Sequence, residues 1–73
     1  MAENVYKVIT IIGSSSESWE KAAAAAIQQA SKSIKDLRIA EVEDLDMQIE
    51  EGKIITYRAK INLSFRYHGK EVE

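Results

Sequence analysis

Residues 54–67, IITYRAKINLSFRY, alternate without interruption between two kinds of side chain. Ile55, Tyr57, Ala59, Ile61, Leu63, Phe65 and Tyr67 fall on one side; Thr56, Arg58, Lys60, Asn62, Ser64 and Arg66 fall on the other. A period of two sustained over this length predicts a long β-strand with one face to bury. Its apolar face needs an equally long cover, and only one other segment can supply it.

That segment is GSSSESWEKAAAAAIQQASKSIKDL, from Gly13 onward. Trp19, Ala23, Ala26, Ala30, Ile34 and Leu37 recur at steps of three and four, which marks one helical stripe. The alanine run 22–26 favours helix intrinsically, and its small side chains permit close approach to a sheet. Ser14 followed by Glu17 fits a capping box, so the expected helix spans 15–36. Before it, VYKVITII (5–12) is β-branched and apolar on both alternating sets, as expected of a strand covered on both faces and ending at Gly13.

Between helix and long strand lies RIAEVEDLDMQI (38–49). Ile39, Val42, Leu45, Met47 and Ile49 keep an approximate alternation, but the step from 39 to 42 is three, which predicts a bulge near residues 40–44. EEGK (50–53) is turn chemistry, so the two strands read as a hairpin turning at Glu51-Gly52. The predicted fold is therefore α+β: a single domain over 1–73, in β-α-β-β order. One long helix packs on a three-stranded, mostly antiparallel sheet.

A chain of 73 residues buries only about 60% of the surface its unfolded form exposes, so it needs reinforcement. With no cysteine, disulfides and thiolate metal sites are excluded, and a single histidine excludes a His cluster within one chain. Self-association is the remaining route, and the long strand edges point to it too. Ten Lys and Arg against twelve Asp and Glu leave a net charge of −2, which supplies no basic face for nucleic acid. No apolar run approaches the roughly 20 residues of a membrane span, so no membrane partner is expected. MAENVYKV lacks the basic start and apolar core of a signal peptide, which gives the cytoplasm as the expected location.

Across the predicted hairpin, Glu41, Glu43 and Asp46 come within reach of Arg58, Lys60 and Arg66. Opposite charges in such pairs contribute about 0.2–1 kcal/mol each, so a solvated, complementary sheet face is the plain reading. Asp44 is the exception, because it sits at the predicted bulge and is expected to lack a basic cross-strand partner. Nothing points to an enzyme: there is no nucleophile elbow, no phosphate-binding glycine loop and no Cys/His pair. His68 falls in RYHGKEVE, which reads as a frayed tail, and Trp19 reads as an anchor in a core or interface.

YKVITIIGSSSESWEKA, IEEGKI and YRAKINLSFRY, in this order and spacing, make the chain resemble the dodecins over nearly its whole length. The resemblance implies a sheet that wraps the helix, assembly into a hollow homododecamer, and a role in storing or buffering flavins held as stacked pairs between tryptophans. Carried over residue by residue, the flavin-stacking Trp falls on Ile39. The Gln that contacts the isoalloxazine edge falls on Arg58, and a phosphate-contacting Arg of FMN-binding members falls on Asp46. The later Arg of those members is kept as Arg66, and Gln48 belongs to the same implied ligand set. Acidic positions associated with cations near the assembly's channels are kept as Glu17 and Asp44.

These departures change the expected ligand. Aromatic stacking is worth about 0.5–1.5 kcal/mol beyond area burial, and isoleucine forfeits it. Asp46 repels an anionic phosphate. The expectation is a small aromatic ligand, riboflavin ahead of FMN, bound weakly or in an altered way. The alternative is a dodecin-fold assembly that has lost flavin and binds calcium or magnesium, or serves a structural role.

Overall fold

In the computed structural model, which describes residues 3–68, the alternating segment is the central strand β3, Lys53–Arg66. It is paired antiparallel on both sides, with β1 (Tyr6–Ser15) from Tyr6↔Arg66 to Ser15↔Tyr57 and with β2 (Leu37–Glu50) from Leu37↔Phe65 to Glu50↔Lys53. The sheet order is β1-β3-β2, and one helix, α1 (Trp19–Ser31), lies on one face. The β-α-β-β order and antiparallel sheet are those predicted.

The hairpin between β2 and β3 turns on two residues, Glu51 (φ 50°) and Gly52 (φ 77°). Two successive positive φ values match the right-handed twist of the strands, and glycine takes the second at no steric cost. The bulge expected at 40–44 is there: Val42 pairs with Ile61 and Asp44 with Lys60, so Glu43 is the extra residue. Similar shifts leave Arg38 extra on β2 and Ile55 extra on β3.

The helix is shorter than predicted. β1 does not end at Gly13 but runs on to Ser15, pairing Gly13 with Ala59. The glycine is there for close approach, since a Cβ on it would lie 2.1 Å from the carbonyl oxygen of Ala22 and 2.9 Å from Ala26 Cβ. The N-cap is Ser18, whose Oγ accepts from the Lys21 amide at 3.0 Å, rather than Ser14. Ser15 Oγ instead accepts from the Glu17 amide at 3.0 Å, so the Ser14–Glu17 capping box does not form. At the other end the amides of Ser33 and Ile34 both bond to the Ala30 carbonyl, and Asp36 at φ 63° redirects the chain into β2.

Ala22, Ala26 and Ala30 face the sheet and are buried, together with Ala59, Ile61 and Leu63 of β3. Ile9, Ile11, Ala23, Ile27, Ile34 and Leu37 pack around them. Ile34 and Leu37 thus reach the predicted core from outside the helix. The other side of β1 is open in the single chain, where Tyr6, Val8 and Ile12 are exposed instead of covered as expected.

Cover also fails along β2, which is exposed at every position except Leu37. Val42, Leu45 and Met47 share the helix side with Ile61, Ala59 and Tyr57, yet they are 52%, 50% and 40% exposed. The β2–β3 hairpin therefore projects as an arm, and the molecule measures 54 × 20 × 17 Å. Its radius of gyration is 14.8 Å, against about 11 Å for a compact chain of this length. Among the described residues no helix is long and apolar enough to cross a membrane.

Candidate ligand and cation sites on the outer face of the sheet

The side of the sheet away from α1 collects the outward positions of all three strands. At one end Val8, Ser64 and Ile39 form a row, with Tyr6 and Arg66 beyond it. A polar row follows: Thr10 Oγ1 donates to Asn62 Oδ1 at 2.7 Å, and Asn62 Nδ2 donates to Glu41 Oε1 at 3.4 Å. Next come Ile12, Lys60 and Asp44, then Ser14, Arg58 and Asp46, and finally Thr56 with Gln48.

Asp46 and Arg58 form the best-defined feature of this face. Arg58 Nε donates to Asp46 Oδ1 at 2.7 Å and Nη2 to Oδ2 at 2.8 Å, a two-pronged match of guanidinium to carboxylate. That hydrogen bonding holds the Asp46 carboxyl below its usual range and raises Arg58. The same residue also reaches through the sheet by its backbone. The Asp46 carbonyl accepts from Trp19 Nε1 at 3.0 Å, and the indole meets Tyr57 edge to face at 5.2 Å. Trp19 is accordingly a half-buried clamp between the start of α1 and the base of the arm.

The ligand positions implied by the family resemblance divide into two groups within one chain. Asp46, Gln48 and Arg58 stand together near the arm, whereas Ile39 and Arg66 lie at the far end of β3. Arg58 and Ser64, the strand partner of Ile39, are separated by about 20 Å at strand rise. Ile39 is 65% exposed, and Ser64 Oγ donates to its carbonyl at 3.4 Å. Arg66 Nη2 donates to Asn4 Oδ1 at 2.7 Å and does not reach the β2 acids across the sheet.

The cation positions are also apart from each other in role. Glu17 precedes α1 and is ion-paired with Lys21. Asp44 stands opposite Lys60, because the bulge absorbs Glu43 and restores the register. A basic residue therefore does face it, contrary to expectation. Among the described residues, no group of three or more His, Cys, Asp or Glu could hold a metal ion within one chain.

One contact had no precursor in local sequence. His68 is not a frayed end: its Nε2 lies 2.8 Å from Asp36 Oδ2, and the Arg66 amide bonds to the Asp36 carbonyl at 3.2 Å. The hydrogen bond from His68, assisted by Arg38 and Arg66 nearby, keeps the exposed Asp36 carboxyl below its usual range. Only the meeting of β3's end with the α1–β2 connection creates this pair, and residue types alone gave no signal for it.

A family model described as Dodecin matches residues 5–68. A curated protein named calcium dodecin, from Mycobacterium tuberculosis, is 51% identical over 63 residues, covering 86% of this chain and 89% of that protein. A crystal structure of the calcium-chelating antigen calcium dodecin from the same organism, described as having a novel calcium-binding site, superposes with TM-score 0.81 at 48% identity. It covers 94% of this chain and 99% of its own. The dodecin of Streptomyces coelicolor superposes with TM-score 0.89 at 27% identity, over 96% of this chain and 100% of that one.

Proposed function

The chain belongs to the dodecin family, and from that premise we propose that it is a homo-oligomeric binding protein, not an enzyme, whose ligand is a divalent cation, calcium first. The observation that carries this reading is the condition of the sheet's outer face. Position 39 offers an exposed isoleucine where a stacking ring is needed, and Arg58 is committed to Asp46 by two hydrogen bonds. Against that, β2 alone presents Glu41, Glu43, Asp44, Asp46 and Glu50 with Arg38 as its single base. Similarity to a relative named calcium dodecin favours the same ion.

The donor chemistry fits a hard cation. Cysteine is absent, and the single histidine is engaged with Asp36, so the available ligands are oxygens. Calcium takes six to eight of them, more than one chain gathers. Asp44 and Glu17 of several copies, with water, would complete such a shell. Assembly is then a requirement of binding as well as of stability, and twelve copies is the number the family implies. The small core and elongated shape support association in their own right.

Thermal denaturation of chelator-treated protein, with and without millimolar CaCl2 or MgCl2, tests this. Binding to the assembled form alone raises the melting temperature by mass action. The rise should be larger with calcium and should shrink in Asp44→Asn and in Glu17→Gln. Equal shifts in all three proteins, or none, would leave the acids as a solvated, salt-paired face. Flavin supplies the counter-test. Riboflavin fluorescence should be quenched weakly by the native chain and more strongly by Ile39→Trp with Arg58→Gln; tight quenching by the native chain would restore flavin storage as its role.

A further inference from the structure

Trp19 and Asp46 lie 27 residues apart in sequence and meet in one hydrogen bond, from the indole Nε1 to the Asp46 carbonyl at 3.0 Å. Each end of that bond stands two residues beyond a candidate cation ligand, Glu17 before Trp19 and Asp44 before Asp46. We propose that Trp19 is a positioning residue for cation binding. Its hydrogen bond fixes the start of α1 and the bulged part of β2 in one frame, so that Glu17 and Asp44 keep set directions relative to each other. This deepens the cation reading given above and rests on it.

Three observations give the bond this role. First, β2 has little else to hold it. It is an edge strand, exposed at every position except Leu37, and its register shifts between Val42 and Asp44. A bulge breaks the ladder where it occurs, so the direction of the Asp44 side chain depends on what fixes the strand just beyond. That point is Asp46, whose carboxylate is gripped twice by Arg58 while its carbonyl accepts from the indole.

Second, ring packing does not by itself account for a tryptophan here. Trp19 meets Tyr57 edge to face with ring centroids 5.2 Å apart, a contact that phenylalanine can also make. What the indole adds is a donor, and that donor goes to the backbone of β2.

Third, the Glu17 end of the frame is tied down as well. The Glu17 amide donates to Ser15 Oγ at 3.0 Å, Ser18 Oγ accepts from the Lys21 amide, and the Glu17 carboxylate pairs with Lys21 one turn on. The backbone from Ser15 to Lys21 is thereby fixed to the end of β1, and the indole carries that order across to β2. Calcium takes six to eight oxygens at about 2.3–2.6 Å, so the directions of its carboxylates matter as well as their number.

Calcium binding to chelator-treated protein is measured by titration calorimetry, and assembly by light scattering. Trp19→Phe keeps a ring against Tyr57 and removes the donor. It should bind calcium several-fold more weakly at unchanged oligomer mass. Because Trp19 is the chain's single tryptophan, a tryptophan-auxotrophic host can replace it with the benzothienyl analogue, in which sulfur stands for the ring N–H. That protein loses the same bond at nearly constant shape and should show the same weakening, which keeps the test valid where Trp19→Phe fails to assemble. Coupling is the sharper measurement. If the indole acts through Asp44, Trp19→Phe should weaken binding several-fold in the native background and little further in Asp44→Asn. A merely structural loss would weaken both by the same factor. Native affinity in the analogue-bearing protein, or equal factors in the two backgrounds, would overturn the positioning role and leave the cation reading standing. No calcium binding by the native chain would remove both.

Discussion

The two ends of β3 carry the same alternation and meet different fates. Between Ala59 and Leu63 the strand is flanked by β1 and β2 and roofed by α1, and its inward residues are buried. Between Lys53 and Thr56 it has no β1 partner, since Ser15↔Tyr57 is the last pair, and it lies beyond the roof. The hydrophobic period is continuous across this boundary. A period of two states which residues are to be covered but is silent on which chain covers them, and here the cover stops at Trp19.

Truncating each region sets the largest contrast. Ile61→Ala empties a fully buried site and should cost about 2–5 kcal/mol in urea denaturation. Ile49→Ala on the arm, opposite Ile54 and 60% exposed, should cost clearly less at low protein concentration, where copies are apart, and should lower the oligomer mass seen by light scattering. Equal losses in both assays would mean that the arm is packed as the roofed half is.

The next contrast concerns how closely the roof sits. Gly13→Ala sets a Cβ against the Ala22 carbonyl, backbone that cannot step aside, and against the Ala26 methyl. It should destabilise by about 1–3 kcal/mol or more. Glycine's own flexibility argues the other way, because in an open strand the same change would stabilise by about 0.5–1 kcal/mol. The sign of the measured change therefore reports whether α1 lies on the strand as described.

Acid titration gives the smallest effect and marks the ends of the sheet. Asp36, hydrogen-bonded to His68, and Asp46, hydrogen-bonded to Arg58, both have carboxyl groups held below their usual range. Their contributions are fully present above the unfolded carboxylate pKa and are lost as pH falls through the lower folded values. The melting temperature should therefore decline in that acid range, and Asp36→Asn should flatten part of the decline. An Asp36→Asn profile parallel to that of the native chain would mean that the His68 contact carries no stability.

Most of the sheet was legible because its signals are local. Alternation placed β3, Glu51-Gly52 placed the turn, and the hairpin register that follows brought Asp46 to Arg58. The ends of the helix were misread for identifiable reasons. Ser14 and Glu17 have capping-box spacing, but the strand pairing Ser14↔Arg58 and Ser15↔Tyr57 claims that backbone first. Ile34 and Leu37 continue a helical spacing because the chain, after turning, returns to the same core. Asp44 was expected to face no base, since a bulge locates an extra residue only to within a few positions. The Asp36–His68 pair joins residues 32 apart, a distance that no local pattern spans.

Asp46 works on both surfaces of the sheet at once: its carboxylate holds Arg58 outside, and its carbonyl holds the indole of Trp19 inside. Trp19 is the chain's single tryptophan. The molecule consequently carries an optical label of its own, wired through one residue to the face where ligands are proposed to act. A cation or ring system that draws Asp46 or Arg58 away from the other should therefore disturb the peptide to which the indole is bonded. A change in tryptophan emission during a calcium titration is the expected record of that event, with no dye attached and no residue replaced.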